Sequence, residues 1–413
     1  MSIDDRAQSN SDKNKVNAEV EIGGVTFDDI SIKEIIFGES LLTPGLQTSI
    51  TLQSFVHSEK SKNFDLYKNK NLSISLGNEV NRSAAYVQKI YRLDNRSNMP
   101  INQSPTEEFT VHACDQTLLE DAKSLVSKSW KCSTPDQVVK YVLGNCCGAQ
   151  DLSGIQSCQP GRPYIAENIH PFQIVAQQAN VAVDVNDPSF LHYMTYNSYA
   201  GPGRHHFKSL KFLCGQPYVK TYRAYEAGVN ALQDYNSNTS GADKFDYAIA
   251  FSFPCDFDLL SDLLNGLDEN GQNRNTLVVI NESSGAMSLL GGSMGGDDCG
   301  KGGFNYKISK TNKGTAEQHN SCPTDVETHL LLRQGRMTLL EKDKVALRLI
   351  GPWDPDLHVG DVINFERLNK YTENLLYGSG KYLVSALAHN IQLGGFSTTS
   401  LDCVSVTAGG GVV

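Results

Sequence analysis

The sequence predicts a β-rich α+β multidomain protein: two β-barrel domains with α/β insertion domains between them. Two observations lead there. Side chains alternate between apolar and polar, the period of a strand, over residues 16–114 and again over 328–407. Between these stretches the period changes to that of a helix at Asp115, and the chain then passes through a loose, glycine-rich region. A length of 413 residues, at roughly 100–200 per domain, allows two to four domains.

Residues 1–15 are polar and aperiodic and read as a mobile arm. In KVNAEVEIGG, Val16, Ala18, Val20 and Ile22 share one face, and Asn17, Glu19 and Glu21 the other. Leu46, Thr48, Ile50 and Leu52 repeat the pattern against Gln47, Ser49, Thr51 and Gln53, and Pro44-Gly45 before them predicts a type II turn. Residues 71–76, 86–93 and 109–113 continue the series, so 16–114 is expected to form a barrel or sandwich.

From Asp115, a suitable N-cap, Leu118, Leu119, Ala122, Leu125 and Val126 would form one helical face. A second helix is expected after Thr134, with Pro135 at its first position and Gly144 or Gly148 closing it. A third begins near His170-Pro171 and carries Phe172, Ile174, Val175 and Ala179. The α+β unit, 115–213, ends in GRHHFKSLKFL, a strand that would place His206, Lys208, Leu210 and Phe212 on one side. Residues 214–327 read as a connecting insert with a glycine-rich linker at 283–303. Strand alternation returns with Val345, Leu347 and Leu349, then through DVINFE, GKYLVSALAHNIQL and STTSLDCVSV. These make a second barrel over 328–407, followed by a flexible tail at 408–413.

The net charge of −10 argues against a general nucleic-acid binder, which needs cations to displace phosphate counterions, but suits a wall past which DNA slides. The first residues have neither a basic nor an apolar leader segment, and no run of about 18 apolar residues could span a bilayer. The chain is therefore expected to be soluble and made in a cytoplasm.

Candidate chemistry is sparse. His205 and His206 are adjacent, so on a strand they point to opposite faces and do not share one ion; they read as a basic strand edge. GGDDCGKG, 295–302, has Gly295, Gly300 and Lys301 at phosphate-loop spacing. Gly302 stands where Ser or Thr is needed, Asp297 and Asp298 would repel phosphate, and the segment reads as linker. Cys132, Cys146, Cys147, Cys158 and His170 lack a C-x-x-C knuckle and read as buried cysteines or one disulfide. No cysteine-protease signature is present. No catalytic, cofactor-binding or metal-binding residue is assigned.

EIIFGESLLTPGLQTSITLQS resembles the first barrel of the baseplate hub proteins of contractile-tailed phages, of the T-even type. DPSFLHYMTYNSYAGPGRHHFKSLKFL resembles their motif of an aromatic strand, a polar turn and an aromatic-x-Ser-Leu strand, carried by Phe190, Tyr193, Phe207, Ser209 and Leu210. GPWDPDLHVGDVINFE and SGKYLVSALAHNIQLGGFSTTSLDCV resemble the later strands, with Gly380, Tyr382, Val384 and His389 at matching places. The likeness covers about two thirds of the chain; the cysteine cluster and the glycine-rich run depart from it.

The resemblance implies tube-type barrels, related in fold to type VI secretion spike-base domains. It further implies a homotrimer in which two barrels per chain make a pseudo-sixfold ring, joining a threefold spike to a sixfold tail tube. Spike or needle protein, tube or tube-initiator protein and baseplate wedge proteins would be its partners, DNA would pass without sequence-specific binding, and the site of action would be the virion tail. On this reading His205 and His206 belong to a hairpin arm, with no metal, cofactor or catalysis. Two other classes stand beside it. A receptor- or carbohydrate-binding tail protein would rely on exposed aromatics, for which Trp130 and Trp353 are the tryptophans available. A tail-associated cell-wall hydrolase or protease would need a cleft with perturbed acids or a Cys-His pair.

Overall fold

A computed structural model describes residues 16–27, 31–55, 70–78, 83–95, 106–159, 161–184, 187–197, 201–225, 248–253, 276–281, 287–291, 306–311, 346–369, 372, 374–393 and 397–406. The arm at 1–15, the tail at 408–413 and GGDDCGKG lie outside the described residues.

The first region forms β1 (Val16–Ile22), β2 (Val25–Phe27), β3 (Ile32–Ser40), β4 (Gln47–Phe55), β5 (Asn71–Asn78), β6 (Ser83–Asn95) and β7 (Thr106–Cys114). The expected parity holds: Val16, Ala18, Val20 and Ile22 are buried, as are Leu46, Thr48, Ile50 and Leu52. Gly23 and Gly24, at φ +56° and +90°, close the β1–β2 hairpin, a two-residue loop that needs positive φ at both positions. Pro44-Gly45 is not a type II turn. Gly45 has φ +152°, and β3–β4 pairing stops at Gly38–Gln47, so the chain makes a wide crossing in which Leu41 donates its N–H to Ser385 O at 2.9 Å.

The middle region contains α1 (Gln116–Lys123), β8 (Val126–Ser133), α2 (Pro135–Cys146), β9 (Gly154–Ile155), β10 (Arg162–Ile169), α3 (Pro171–Ala179), β11 (Phe190–Thr195), β12 (Arg204–Ser209) and α4 (Leu210–Cys214). Asp115 caps α1 by accepting the Thr117 N–H at 2.8 Å. Helix α2 begins with Pro135, Gln137 accepts the Thr134 N–H at 3.2 Å, and Gly148 at φ +69° follows its end.

Two expected faces are corrected. Helix α1 stops at Lys123 because Ser124 turns extended; Leu125 is exposed, and Val126 begins a strand whose VSKSW alternation suits a sheet better than a helix. Strand β12 stops at Ser209, whose hydroxyl accepts the Phe212 N–H at 3.2 Å and caps α4. Leu210 and Phe212 are therefore helical and do not continue the face of His206 and Lys208.

The last region holds β13 (Tyr218–Tyr225), β14 (Ala250–Ser252), β15 (Thr276–Asn281), β16 (Met287–Gly291), β17 (Tyr306–Thr311), β18 (Ala346–Pro352), β19 (Val362–Leu368), β20 (Gly380–Gln392) and β21 (Thr398–Ser405). β16 lies inside the glycine-rich stretch and pairs with β15, which also pairs with β17. β13 and β14, from the stretch read as a connecting insert, join the last strands.

The first and last strand groups form one 13-stranded sheet, in the order β14-β18-β21-β20-β3-β4-β7-β6-β5-β1-β2, with β13 and β19 branching from β20. Where two separate barrels were expected, strand pairing among the described residues closes neither half. The reason is β20, long enough to serve both: Gly380–Leu383 pairs with β19, and Ala386–Gln392 pairs with β3. Each half nevertheless buries its own core, around Ile35, Phe109 and Val111 in the first and Leu347, Phe365 and Leu401 in the second.

A three-stranded sheet, β11-β12-β9, stands between the two cores. Its alternation sends Phe190, Met194 and Phe207 into the first core and Leu191 and Tyr193 into the second. Both faces are dry, which is why all six residues of β11 are buried.

Candidate functional site

The inward parity of β3 carries Ile35, Phe37 and then Glu39, putting a carboxylate where an apolar side chain would be expected. A buried carboxylate is costly unless its oxygens are bonded, and those of Glu39 are. Oε1 accepts from the Tyr196 N–H at 2.7 Å and lies 2.9 Å from His358 Nδ1; Oε2 accepts from the Val359 N–H at 2.9 Å. One side chain thus joins β3, the end of β11 and the turn before β19, which belong to three different parts of the fold.

Burial by itself would depress the His358 imidazole, but the charge and hydrogen bond of Glu39, helped by Asp361 and Asp356, raise it above its ordinary range. Asp361 is displaced upward, by burial first, and its carboxylate accepts the His358 N–H at 2.9 Å. Gly360 completes the turn at φ +86°; a Cβ there would stand 2.6 Å from Tyr193 Oη. Its N–H donates to Val384 O at 3.0 Å and its carbonyl accepts from Gln216 Nε2 at 3.2 Å. The Gly-Asp-x-Ile stretch is thus the place where the second half docks on the partition sheet.

The two adjacent histidines are neither basic nor at an edge, because β12 lies between β11 and β9 and both rings are buried. His205 faces the first side, where Thr117 Oγ1 donates to Asp115 Oδ1 at 2.6 Å and lies 3.2 Å from His205 Nε2. Thr117 has spent its proton on Asp115, so His205 Nε2 donates to it, and His205 Nδ1 accepts from His192 Nε2 at 3.1 Å. His206 faces the other way, stacked on Tyr193 with ring centroids 4.7 Å apart and bonded to Thr195 Oγ1 at 2.9 Å. Burial holds all three neutral: it lowers His205 to about 4 and His206 to about 3, and displaces His192 well downward.

The cysteines and His170 do not converge. Cys132 is disulfide-bonded; Cys146, Cys147 and Cys158 are free thiols, with Cys147 pushed up to about 12 by burial. His170 Nδ1 lies 3.0 Å from Asp121 O, at the end of α1. Among the described residues no group of three or more His, Cys, Asp or Glu side chains is placed to hold a metal. Trp353 is wholly buried, and Trp130 packs against Tyr164 and Tyr141, with Lys128 Nζ 3.4 Å above the Tyr141 ring.

The motif residues serve local packing and capping at several places in the fold. Phe190 packs on Phe207 with centroids 5.1 Å apart, Ser209 caps α4, Tyr382 Oη donates to Gly378 O at 2.8 Å, and His389 Nδ1 lies 2.9 Å from Thr399 Oγ1. Glu39, His358 and Asp361 were missed as a group. The one local signal was a lone glutamate at an inward position of an otherwise apolar strand face.

No family model and no curated protein matches the sequence. Solved structures share its fold over nearly the whole chain. A tail protein from Neisseria meningitidis MC58 superposes with a TM-score of 0.57 at 9% identity, covering 96% of this chain and 98% of that one. A 43 kDa tail protein of prophage MuSo2 from Shewanella oneidensis gives 0.54 at 9% identity, covering 95% and 99%. An E. coli component of the type VI secretion system, described as structurally similar to the T4 bacteriophage tail proteins gp27 and gp5, gives 0.51 at 10% identity, covering 94% and 76%.

Proposed function

We propose that this chain is a structural protein of a phage tail: the central baseplate hub, three copies of which form a ring that adapts a threefold spike to a sixfold tube. The observation that supports this reading is a single long sheet whose two halves pack on separate cores. Each chain brings two sheet halves with separate cores, joined by shared β20 and by the Glu39 junction. Three such chains can present six comparable positions around an axis, which a spike-to-tube adaptor needs.

The second half is read as a tube-type barrel. The Ala248 N–H donates to Arg223 O at 2.9 Å, bringing the β14 end of that half back toward β13. The first half is its counterpart. In the virion tail, after assembly in the host cytoplasm, the ring would bind spike, tube and wedge proteins and enclose the DNA exit channel. No helix among the described residues is long and apolar enough to cross a membrane.

The test is mass and symmetry. Native mass measurement and electron microscopy of the purified chain, alone or with its spike, should give a trimer with an open centre. A stable monomer in both preparations, or hydrolysis of cell-wall substrate by the pure protein, would overturn the reading.

A further inference from the structure

Helices α1 and α3 rest on one face of the partition sheet through two histidines. The ring of Phe172, on α3, meets His192 at 5.2 Å and His205 at 5.8 Å between centroids, edge to face in both cases. Thr117 Oγ1, on α1, lies 3.2 Å from His205 Nε2. The helices are also tied to each other, since Asp121 Oδ1 accepts the Phe172 N–H at 2.6 Å and His170 Nδ1 lies 3.0 Å from Asp121 O.

Hydrogen bonds along this seam run one way. Asp115 takes three donors: the Thr117 N–H and hydroxyl on Oδ1, at 2.8 and 2.6 Å, and the Gly203 N–H on Oδ2 at 2.9 Å. With the Thr117 proton used there, His205 Nε2 donates to Thr117, and His192 Nε2 donates to His205 Nδ1 at 3.1 Å. His192 Nδ1 ends the row as a buried acceptor with no partner among the described residues. The row is complete with both rings neutral. A further proton on His205 Nδ1 would set two donors against each other across 3.1 Å; on His192 Nδ1 it would make a buried cation with nothing to accept its N–H.

Few charges face the pair. Asp115 and Asp151 draw His205 toward its charged form, and burial outweighs both. Asp115 is already bonded three times, and Asp151 is paired with Arg204 of β12 at 2.6 Å. The remaining charges of α1, Glu120, Asp121 and Lys123, lie in its last turn, where Lys123 Nζ meets Glu120 at 2.8 Å. Helix α3 has no ionisable side chain, and His206, on the opposite face of β12, disfavours a charge on His192.

We propose that His192 and His205 form an acid-released latch: while neutral they hold α1 and α3 on the partition, and one more proton on either ring frees both helices while the long sheet stays folded. Helices of eight and nine residues do not persist alone in water, so release also opens their hydrogen bonds.

The test is hydrogen exchange of the full-length chain, read by mass spectrometry at pH 7 and pH 5 and corrected for intrinsic rates. Residues 116–123 and 171–179 should exchange at least about tenfold faster at pH 5, while β4 and β7 keep their rates. Unchanged protection of the helices would overturn the latch, and so would an equal loss in β4 and β7, since that is unfolding of the whole half. A His192→Phe/His205→Phe chain with wild-type protection at pH 7 should keep its helices closed at pH 5; opening equal to wild type would assign the acid response to other groups and overturn the proposal. Where the double variant does not fold, either single variant gives the same reading, with the pH effect reduced by about half on a logarithmic scale.

Discussion

Glu39 Oε1 and His358 Nδ1 meet at 2.9 Å, a wholly buried carboxylate against a partly buried imidazole, between residues 319 positions apart. The same carboxylate also receives two backbone N–H groups, so its removal strands three donors at once. Glu39→Ala should lower stability by about 3–5 kcal/mol, and Glu39→Gln by less because it keeps the shape and one acceptor. In urea unfolding the midpoint should fall with little change in slope; equal stability of wild type and Glu39→Ala would remove the junction's energetic role.

Acid should weaken the partition and the second half. Burial lowers His205 and His389 to about 4 and His206 to about 3, against an ordinary value of 6.5, and His192 moves the same way. Depressed histidines stay neutral in the folded chain, while the unfolded chain takes up protons below pH 6.5. Their stability contribution is present above that pH and is lost as the pH falls toward 4. His358, raised, acts in the opposite sense, with stability present below 6.5 and lost as pH climbs through its folded value. Thermal melts should therefore show a lower midpoint at pH 5 than at pH 7, and His389→Phe should flatten the dependence.

Gly360→Ala places a Cβ at positive φ against Tyr193 Oη. A loss of at least about 1–3 kcal/mol is expected from the backbone term alone. Adding Tyr193→Phe removes the nearest atom, so the double variant should be more stable than the sum of the single losses predicts. Strict additivity in a double-mutant cycle would show that the contact is not felt.

The thiols give a chemical check. Alkylation of the unfolded chain without reductant should modify Cys146, Cys147 and Cys158 and spare Cys132, which should react only after reduction. Alkylation of Cys132 before reduction, or stoichiometric zinc in the native protein, would contradict the arrangement described.

Much of the fold was legible. The parity of β1 and β4 was readable because one face of each meets a core, and Asp115, Thr134 and Pro135 marked helix starts through local capping chemistry. The misreadings share a cause. Leu125, Val126, Leu210 and Phe212 fit the period of the preceding element, but the element had already ended, at Ser124 in one case and at Ser209 in the other. Serine favours such ends, since its hydroxyl competes for backbone hydrogen bonds, and hydrophobic spacing carries no trace of that competition.

The sequence by itself determined which side chains share a face, because that parity follows from the geometry of two or three consecutive residues. Only the tertiary structure decided what covers each face. It put His205 and His206 toward different cores, gave β20 to both halves of one sheet, and brought Glu39 to His358 and Val359. These outcomes depend on strand register and on contacts hundreds of residues apart, and neighbouring residues do not encode them.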